Sequence, residues 1–386
     1  MVMIRDILMY MDRTYVVQNK KTPVYDMGLE IFRDTIARHL RVKGRLVKLL
    51  LSNIDKERRG EQIDRLLMKN SLSMLVELGV HSRDVYEEDF EKVFLETTRD
   101  FYHNESLEYI TKNTCPDYMK KAEDRIKEER QRAQNYLDSC TQPRQMQIVQ
   151  NELVQAHAKT LVEMKNSGAV AMFHDDKVED LNRMYELFHC VGTETLHVIR
   201  DAMAAHVKSQ GRSLVTDQER SKRPVEFVQG LLDLRTKYGS IVTDAFDDDK
   251  SFQKSLKEAF EDFINIDQRC AQYLSMYIDE VLRNKLRQRQ HDMDDVLDRV
   301  IVIFRYLQDK DVFENFYKQH LAKRLLSGRS VSEDSERAMI TKLKAECGYQ
   351  FTAKLEGMFS DMKLSKEFME KYKKQAKAGI RPGEGT

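Results

Sequence analysis

Two neighbouring stretches decide the fold: Leu321-Ala-Lys-Arg-Leu-Leu326, and beyond it Glu346-Cys-Gly-Tyr-Gln-Phe-Thr-Ala-Lys-Leu-Glu-Gly-Met-Phe359. The first reads as a helix. The second reads as a helix end, a glycine stop at Gly348 and a second amphipathic helix, because glycine closes a helix without a Cβ penalty. Between them Ser330 with Glu333 has the spacing of a capping box, predicting a helix that ends near Cys347-Gly348. Just upstream, Phe313, Phe316, Tyr317 and Leu321 continue the helical pattern, after Leu297, Val300, Ile301, Phe304 and Leu307.

The same pattern runs back to the start. Met1, Ile4, Leu8, Met11 and Tyr15 fall on one helical face, with no capping residue ahead of them, which predicts that an N-terminal portion precedes this chain. Thr22-Pro23 marks a break and a restart. The next helix carries Met27, Ile31, Ile36 and Leu40, and another carries Leu46, Leu49, Leu50 and Ile54 up to Arg58-Arg59-Gly60. Ile63, Leu66, Leu67 and Leu75 continue the apolar theme to Gly79. Phe90, Phe94, Thr98 and Phe101 share their i, i+4, i+8, i+11 spacing with Phe252, Leu256, Phe260 and Phe263. Pro116 opens a charged helix whose narrow apolar face holds Ala122, Ile126, Ala133 and Leu137. Gln142-Pro143-Arg144 reads as a linker before a helix over 148–164. Lys222-Arg223-Pro224 opens a helix with Phe227, Val228, Leu231 and Leu232, and Tyr273, Tyr277, Val281 and Leu282 mark another. Arg283 to His291, polar and basic, reads as a boundary. No strand pattern emerges. Only 5 Pro and 15 Gly occur in 386 residues, so long uninterrupted helices are expected. A chain this long exceeds what one compact core holds, which favours an elongated all-α solenoid of stacked bundles.

Composition excludes several functions. Lys+Arg (64) balances Asp+Glu (64), so the global charge footprint of a nucleic-acid binder is absent. No apolar run is long enough to span a membrane, and the acidic Asp6 and Asp12 argue against a signal peptide. The 5 Cys are scattered, without a CxxC pair, which fits a reducing cytoplasmic or nuclear compartment better than a disulfide framework or a zinc cage. His189-Cys190 with His197 reads as packing, because no further pair completes a tetrahedral site. No phosphate-cradling glycine loop and no GxSxG elbow is present. Asp294, Asp295 and Asp298 form a DDxxD string of the kind that holds Mg²⁺ in all-helical prenyl-diphosphate enzymes; the simpler reading places them in a first helical turn, where the macrodipole favours carboxylates. Asp247-Asp248-Asp249 reads as a cap before Phe252. No cofactor is expected, and no catalytic residue. Of the aromatic residues, Tyr25, Phe32, Tyr86 and Phe90 could anchor a partner or fill a core, and Tyr25, near a helix start, is best placed for display.

Taken together, several ordered blocks resemble the cullin family of ubiquitin-ligase scaffolds, in the type that uses BTB-domain adaptors. Arg5 to Arg13 and Val24 to Asp34 resemble the late part of the first cullin repeat. Tyr86 to Glu91 with Phe94-Leu95 resembles the second. Pro224 to Asp233 and Phe263 to Asn265 resemble the third. Lys310 to Leu326 and the Cys347-Gly348 segment resemble the start of the C-terminal region. The resemblance implies a partial first repeat at 1–58, a second at 59–166, a third at 167–285, the start of a helical-bundle domain at 286–372, and a disordered tail at 373–386. It implies five-helix repeats that hold a substrate adaptor at one end while a C-terminal region holds a RING protein, with no bond chemistry by the scaffold itself. The adaptor would meet Tyr25, Met27 and Phe32, weakly, since the opening helices of the first repeat are not in this sequence. RING binding is not expected, since the blocks for it lie outside the sequence. One departure stands out: Cys270-Ala271 occupies the place of the family's usual Ser-Pro, which predicts an altered local turn. A helical-repeat tether without a ubiquitin role is the alternative reading.

Overall fold

A computed structural model describes residues 12–217, 222–283, 290–328, 330 and 332–377. Among these, all regular structure is helical. The chain divides into two compact units, Met1–Ile199 and Arg200–Thr386, each described by itself. Helices of nine or more residues are numbered in chain order.

The first unit contains α1 (Val24–Phe32), α2 (Leu40–Arg58), α3 (Arg65–Glu77), α4 (Lys92–Lys112), α5 (Cys115–Tyr136), α6 (Thr141–Leu153) and α7 (Val178–Val191). Local chemistry sets where each begins. The Asp64 carboxylate accepts the Leu67 N–H at 2.9 Å and starts α3. That start fixes the register: Met68, Leu72 and Leu75 turn into the core, while Leu66 and Leu67 are 68% and 59% exposed. Both leucines belong to the apolar pattern of the sequence, but they lie beside the cap, off the buried stripe. Thr114 caps α5 and Pro116 sits in its first turn. Ala122, Ile126 and Ala133 are buried on its narrow face, as the spacing predicts. Gln142-Pro143-Arg144 is not a linker but the first turn of α6, where proline's missing N–H has no intrahelical partner to lose. The helix expected over 148–164 stops at Leu153, tightens into a 3-10 turn over Gln155–His157 and resumes over Ala158–Glu163. The aromatic ladder Phe90, Phe94 and Thr98 is buried and is continued by Tyr102 rather than Phe101. Phe90 and Phe94 stack 5.4 Å apart. Tyr86 and Phe90 are core, not display. Residues 1–11 of the expected first helix lie outside the described set.

The second unit contains the end of α8 (Thr193–Thr216), whose span includes the division, then α9 (Pro224–Ala245), α10 (Lys250–Ile264), α11 (Arg269–Arg283), α12 (Gln290–Tyr306), α13 (Lys310–Ser327), α14 (Glu333–Cys347) and α15 (Tyr349–Lys377). Asp249 caps α10, accepting the Ser251 N–H at 2.6 Å. Phe252, Leu256, Phe260 and Phe263 are all buried. Gly211 of α8 lets the Phe263 ring approach: a Cβ there would stand 2.3 Å from ring carbons. The start of α11 forms without the family's proline, because Asp267 accepts the Arg269 N–H at 2.9 Å and its carbonyl accepts that of Cys270 at 3.0 Å. The cap of α14 is Ser332, which accepts from the N–H groups of Asp334 and Ser335; Ser330 donates instead to Glu336. Gly328 (φ +62°) and Gly348 (φ +81°) end α13 and α14 in the left-handed region that favours glycine. α15 runs to Lys377, so residues 373–377 are helical rather than part of a disordered tail; 378–386 lie outside the described set. The expected boundary at Arg283–His291 falls between α11 and α12, with 284–289 undescribed.

Each unit carries a buried ionic lock. In the first, Glu129 of α5 accepts from Arg58 of α2 (Nε, 2.9 Å), from Tyr102 of α4 (2.6 Å), from Arg132 (2.5 Å) and from Gln145 of α6. Arg58 also donates to Thr98 at 2.9 Å, and its guanidinium lies 5.1 Å from the centre of the Phe101 ring. In the second unit, Arg324 of α13 and Glu336 of α14 have fully buried side chains (0% exposed each). The two meet through bonds of 2.7 and 2.9 Å, and Asp279 of α11 accepts a third at 2.6 Å.

Arg324→Ala leaves the Glu336 charge buried without its partner. A loss of about 3–5 kcal/mol in a urea melt is expected, and Arg324→Met with Glu336→Leu should recover most of it. A loss below about 1 kcal/mol would show that water reaches the site. At Glu129, burial pushes the carboxyl pKa up, but the Arg58 charge and hydrogen bond, with Arg132, outweigh it and hold the pKa below the ordinary 4.5. The lock's stabilisation is therefore fully present above about 4.5 and is lost as pH falls through the lowered folded-state value. Melting temperature measured between pH 7 and 3 should fall in acid, and Glu129→Gln should remove part of that slope. A slope identical in the two proteins would contradict the assignment.

Candidate docking surface

The helix α1 is positioned by contacts on both sides. The Asp12 carboxylate reaches forward to accept the Val24 N–H at 2.8 Å, capping the restart after Pro23. The Tyr25 hydroxyl donates to the Glu77 carboxylate at the end of α3. His81 and Asp26 meet at 3.1 Å. Tyr25, Leu29 and Phe32, at i, i+4 and i+7, turn toward the core of the first unit. Met27 and Ile31, at i and i+4 on another face, are 43% and 58% exposed. Beyond Phe32 the helix widens into a π-type turn, Arg33–Ala37, with Ala37 buried and Ile36 exposed. Leu40 at the start of α2 is exposed as well.

The three residues expected to meet an adaptor are thus placed unequally. Met27 stands on the open face. Tyr25 is half-buried, lining a groove of about 650 Å³ with Leu29, Val76, Val80, His81 and Arg83. Phe32 is half-buried against the core. Met27, Ile31, Ile36 and Leu40, the apolar residues by which the sequence marks this helix, are all exposed, because Leu29 and Ala37 take the buried positions. Sequence reasoning missed Ile31 as a display residue. Its signal was present: two apolar stripes on one short helix, Tyr25-Leu29-Phe32 and Met27-Ile31, require two covered faces.

Other candidate groups are not brought together. Asp294, Asp295 and Asp298 are exposed and lie past the first turn of α12, not within it; Asp298 pairs with Lys342 of α14. His189, Cys190 and His197 are exposed. Among the described residues no group of three or more His, Cys, Asp or Glu could hold a metal. No described helix is long and apolar enough to cross a membrane. The thiols of Cys115 and Cys270 are buried, and burial pushes each up to about 12, so neither is an activated nucleophile.

Among the described residues all regular structure is helical, in two helical units, and α1 exposes an apolar face at Met27 and Ile31. Residues 1–369 match the family model of the cullin alpha solenoid domain. The chain is 49% identical over 374 residues to cullin-3 of Dictyostelium discoideum (97% of this chain, 48% of that protein). It is 51% identical over 368 residues to cullin-3A of Arabidopsis thaliana (95% and 50%), and 39% identical over 373 residues to cullin-3 of Caenorhabditis elegans (94% and 48%). The chain belongs to the cullin family and within it is cullin-3-like. It spans about half the length of the curated relatives it matches.

The DDxxD carboxylates face solvent, so the doubly substituted Asp294→Asn/Asp295→Asn chain should melt within about 0.5 kcal/mol of the parent. Millimolar Mg²⁺ should leave both melting curves unmoved. A Mg²⁺-dependent rise confined to the parent would instead reveal a metal site there.

Proposed function

We propose that this chain is a scaffold segment of a cullin-RING ubiquitin ligase, in which stacked helices hold a BTB-type substrate adaptor at a fixed distance from the RING module. The observation that carries the reading is the family match over residues 1–369, together with an α1 that presents Met27 and Ile31 on a helix tied down from its other side. The mechanism is proximity. A stiff spacer raises the effective concentration of substrate lysines at a conjugating enzyme's thioester, and needs no reacting group of its own. Work in the cytoplasm or nucleus suits five free thiols. The exposure of all three aspartates, with Asp298 paired to Lys342, disfavours the prenyl-type reading.

Calorimetry with a BTB-domain adaptor tests the docking surface. Met27→Ala should weaken binding about tenfold, and Tyr25→Ala roughly thirtyfold, equivalent to ~2 kcal/mol. Tyr25→Phe, which removes only the hydroxyl that holds Glu77, should retain most of the affinity. Unchanged binding in both alanine variants would remove α1 from the interface. Binding to a membrane-tether subunit with none to any BTB domain would favour the tether reading.

A further inference from the structure

Within the second unit, a groove of about 860 Å³ opens between the C-terminal half of α9, the N-terminal half of α10, the end of α12 and the first residue of α13. Six cationic side chains line it against two carboxylates, Asp248 and Glu346. Both carboxylates are engaged: Gln253 donates to Asp248 at 2.5 Å, and Glu346 is held by Arg305. The cations are not matched in the same way. Lys250 is exposed and has no ion-pair partner among the described residues. Lys254 and Lys257 have only exposed Glu258 and Glu261 at 3.8 and 3.6 Å, surface pairs that exchange readily. Lys310 rests 5.6 Å from the centre of the Phe304 ring.

Arg235 is the built feature of the groove. Its Nε donates to the buried Tyr306 hydroxyl at 2.8 Å, which fixes the plane of the guanidinium. Its Nη1 lies where a Cβ on Gly239 would be, at 2.5 Å, so that glycine makes room for the side chain to lie along α9. The two Nη groups have no hydrogen-bond partner among the described residues. A planar donor fork held from behind, with its outer nitrogens open, suits a carboxylate.

We infer that this groove binds an extended acidic segment of a partner protein. Spacing favours a peptide over a compact anion. Lys250, Lys254 and Lys257 follow i, i+4, i+7 on one face of α10. They form a row about 10 Å long whose first two members are about 6 Å apart along the axis. Side chains on one side of an extended strand repeat every ~6.6 Å, so alternate acidic residues match the spacing of Lys250 and Lys254. Arg235 stands on another wall of the groove, which would fix the peptide's register rather than merely attract it.

Fluorescence anisotropy of the full chain with fluorescein-labelled octaglutamate tests the inference. Saturable binding that weakens with salt is expected. Lys254→Glu/Lys257→Glu should weaken it at least about tenfold, since two attractions become repulsions. Gly239→Ala carries the decisive weight, because it changes no charge and meets only the flexible end of Arg235. It should weaken binding several-fold with a melting temperature unchanged or raised. Lys159→Glu, an exposed charge in the other unit, should have no effect. The inference fails if octaglutamate does not saturate, or if tripolyphosphate binds where octaglutamate does not. It fails equally if Gly239→Ala leaves the affinity intact, or if Lys159→Glu weakens binding as much as the groove variants.

Discussion

Each unit of this protein depends on a charge that has been taken out of water and has one place to go. Glu129 is reached by groups from α2, α4 and α6, and Arg324 by carboxylates from α11 and α14. Apolar helix faces are forgiving, because leucine against leucine packs nearly as well after a helix slides by one turn. A buried charge is not forgiving. Any slide that separates Arg58 from Glu129, or Arg324 from Glu336, strands an ion in a low-dielectric interior at about 3–5 kcal/mol. The locks therefore add little net stability over a well-packed apolar core and much discrimination between registers.

A scaffold needs this kind of discrimination. If the output is a distance, every helix that slips changes the product. The same logic holds at α1, where three polar contacts lie on or beside the helix: Asp12 at its start, Tyr25 to Glu77, and Asp26 to His81. They hold a nine-residue helix, too short to be stable alone, in one orientation. The exposed Met27 and Ile31 are then presented by a fixed backbone, which lowers the ordering cost that a partner would otherwise meet on binding.

Much of the fold was legible because helix boundaries are written in local chemistry. Gly348, Pro224, Asp249 and Thr114-Cys115-Pro116 mark ends or starts that any context would respect. Facing was harder to read. Whether Leu66 or Met68 is buried depends on which residue caps α3, and a shift of one or two positions turns the stripe by 100° or more. Ser330 and Ser332 compete for the same cap, and only the tertiary demand of Glu336 for a donor decides between them. The locks were invisible for a related reason. Arg58 sits in a charged run that looks like solvated surface, Arg324 follows Lys323 at a helix end where a cation is ordinary, and their partners lie 71 and 12 residues away. Of the candidate docking residues, the helix could be read but not its rotation, so Tyr25 and Met27 were grouped although they face different ways.

Charge shows the same gap between a total and an arrangement. Equal numbers of acidic and basic residues leave the chain without a net charge to set up a uniform field. They do not exclude local sorting. At physiological ionic strength a surface charge is felt over roughly 8 Å, so the sum over 386 residues is irrelevant to a ligand in one groove. What matters there is which acids are already engaged. Asp248 and Glu346 are satisfied by side chains within the groove, whereas Lys250 and the outer nitrogens of Arg235 are not. A balanced sequence can therefore carry a locally unbalanced site. Helices make such sorting easy, because an i, i+4, i+7 choice places like charges in a row without altering the composition.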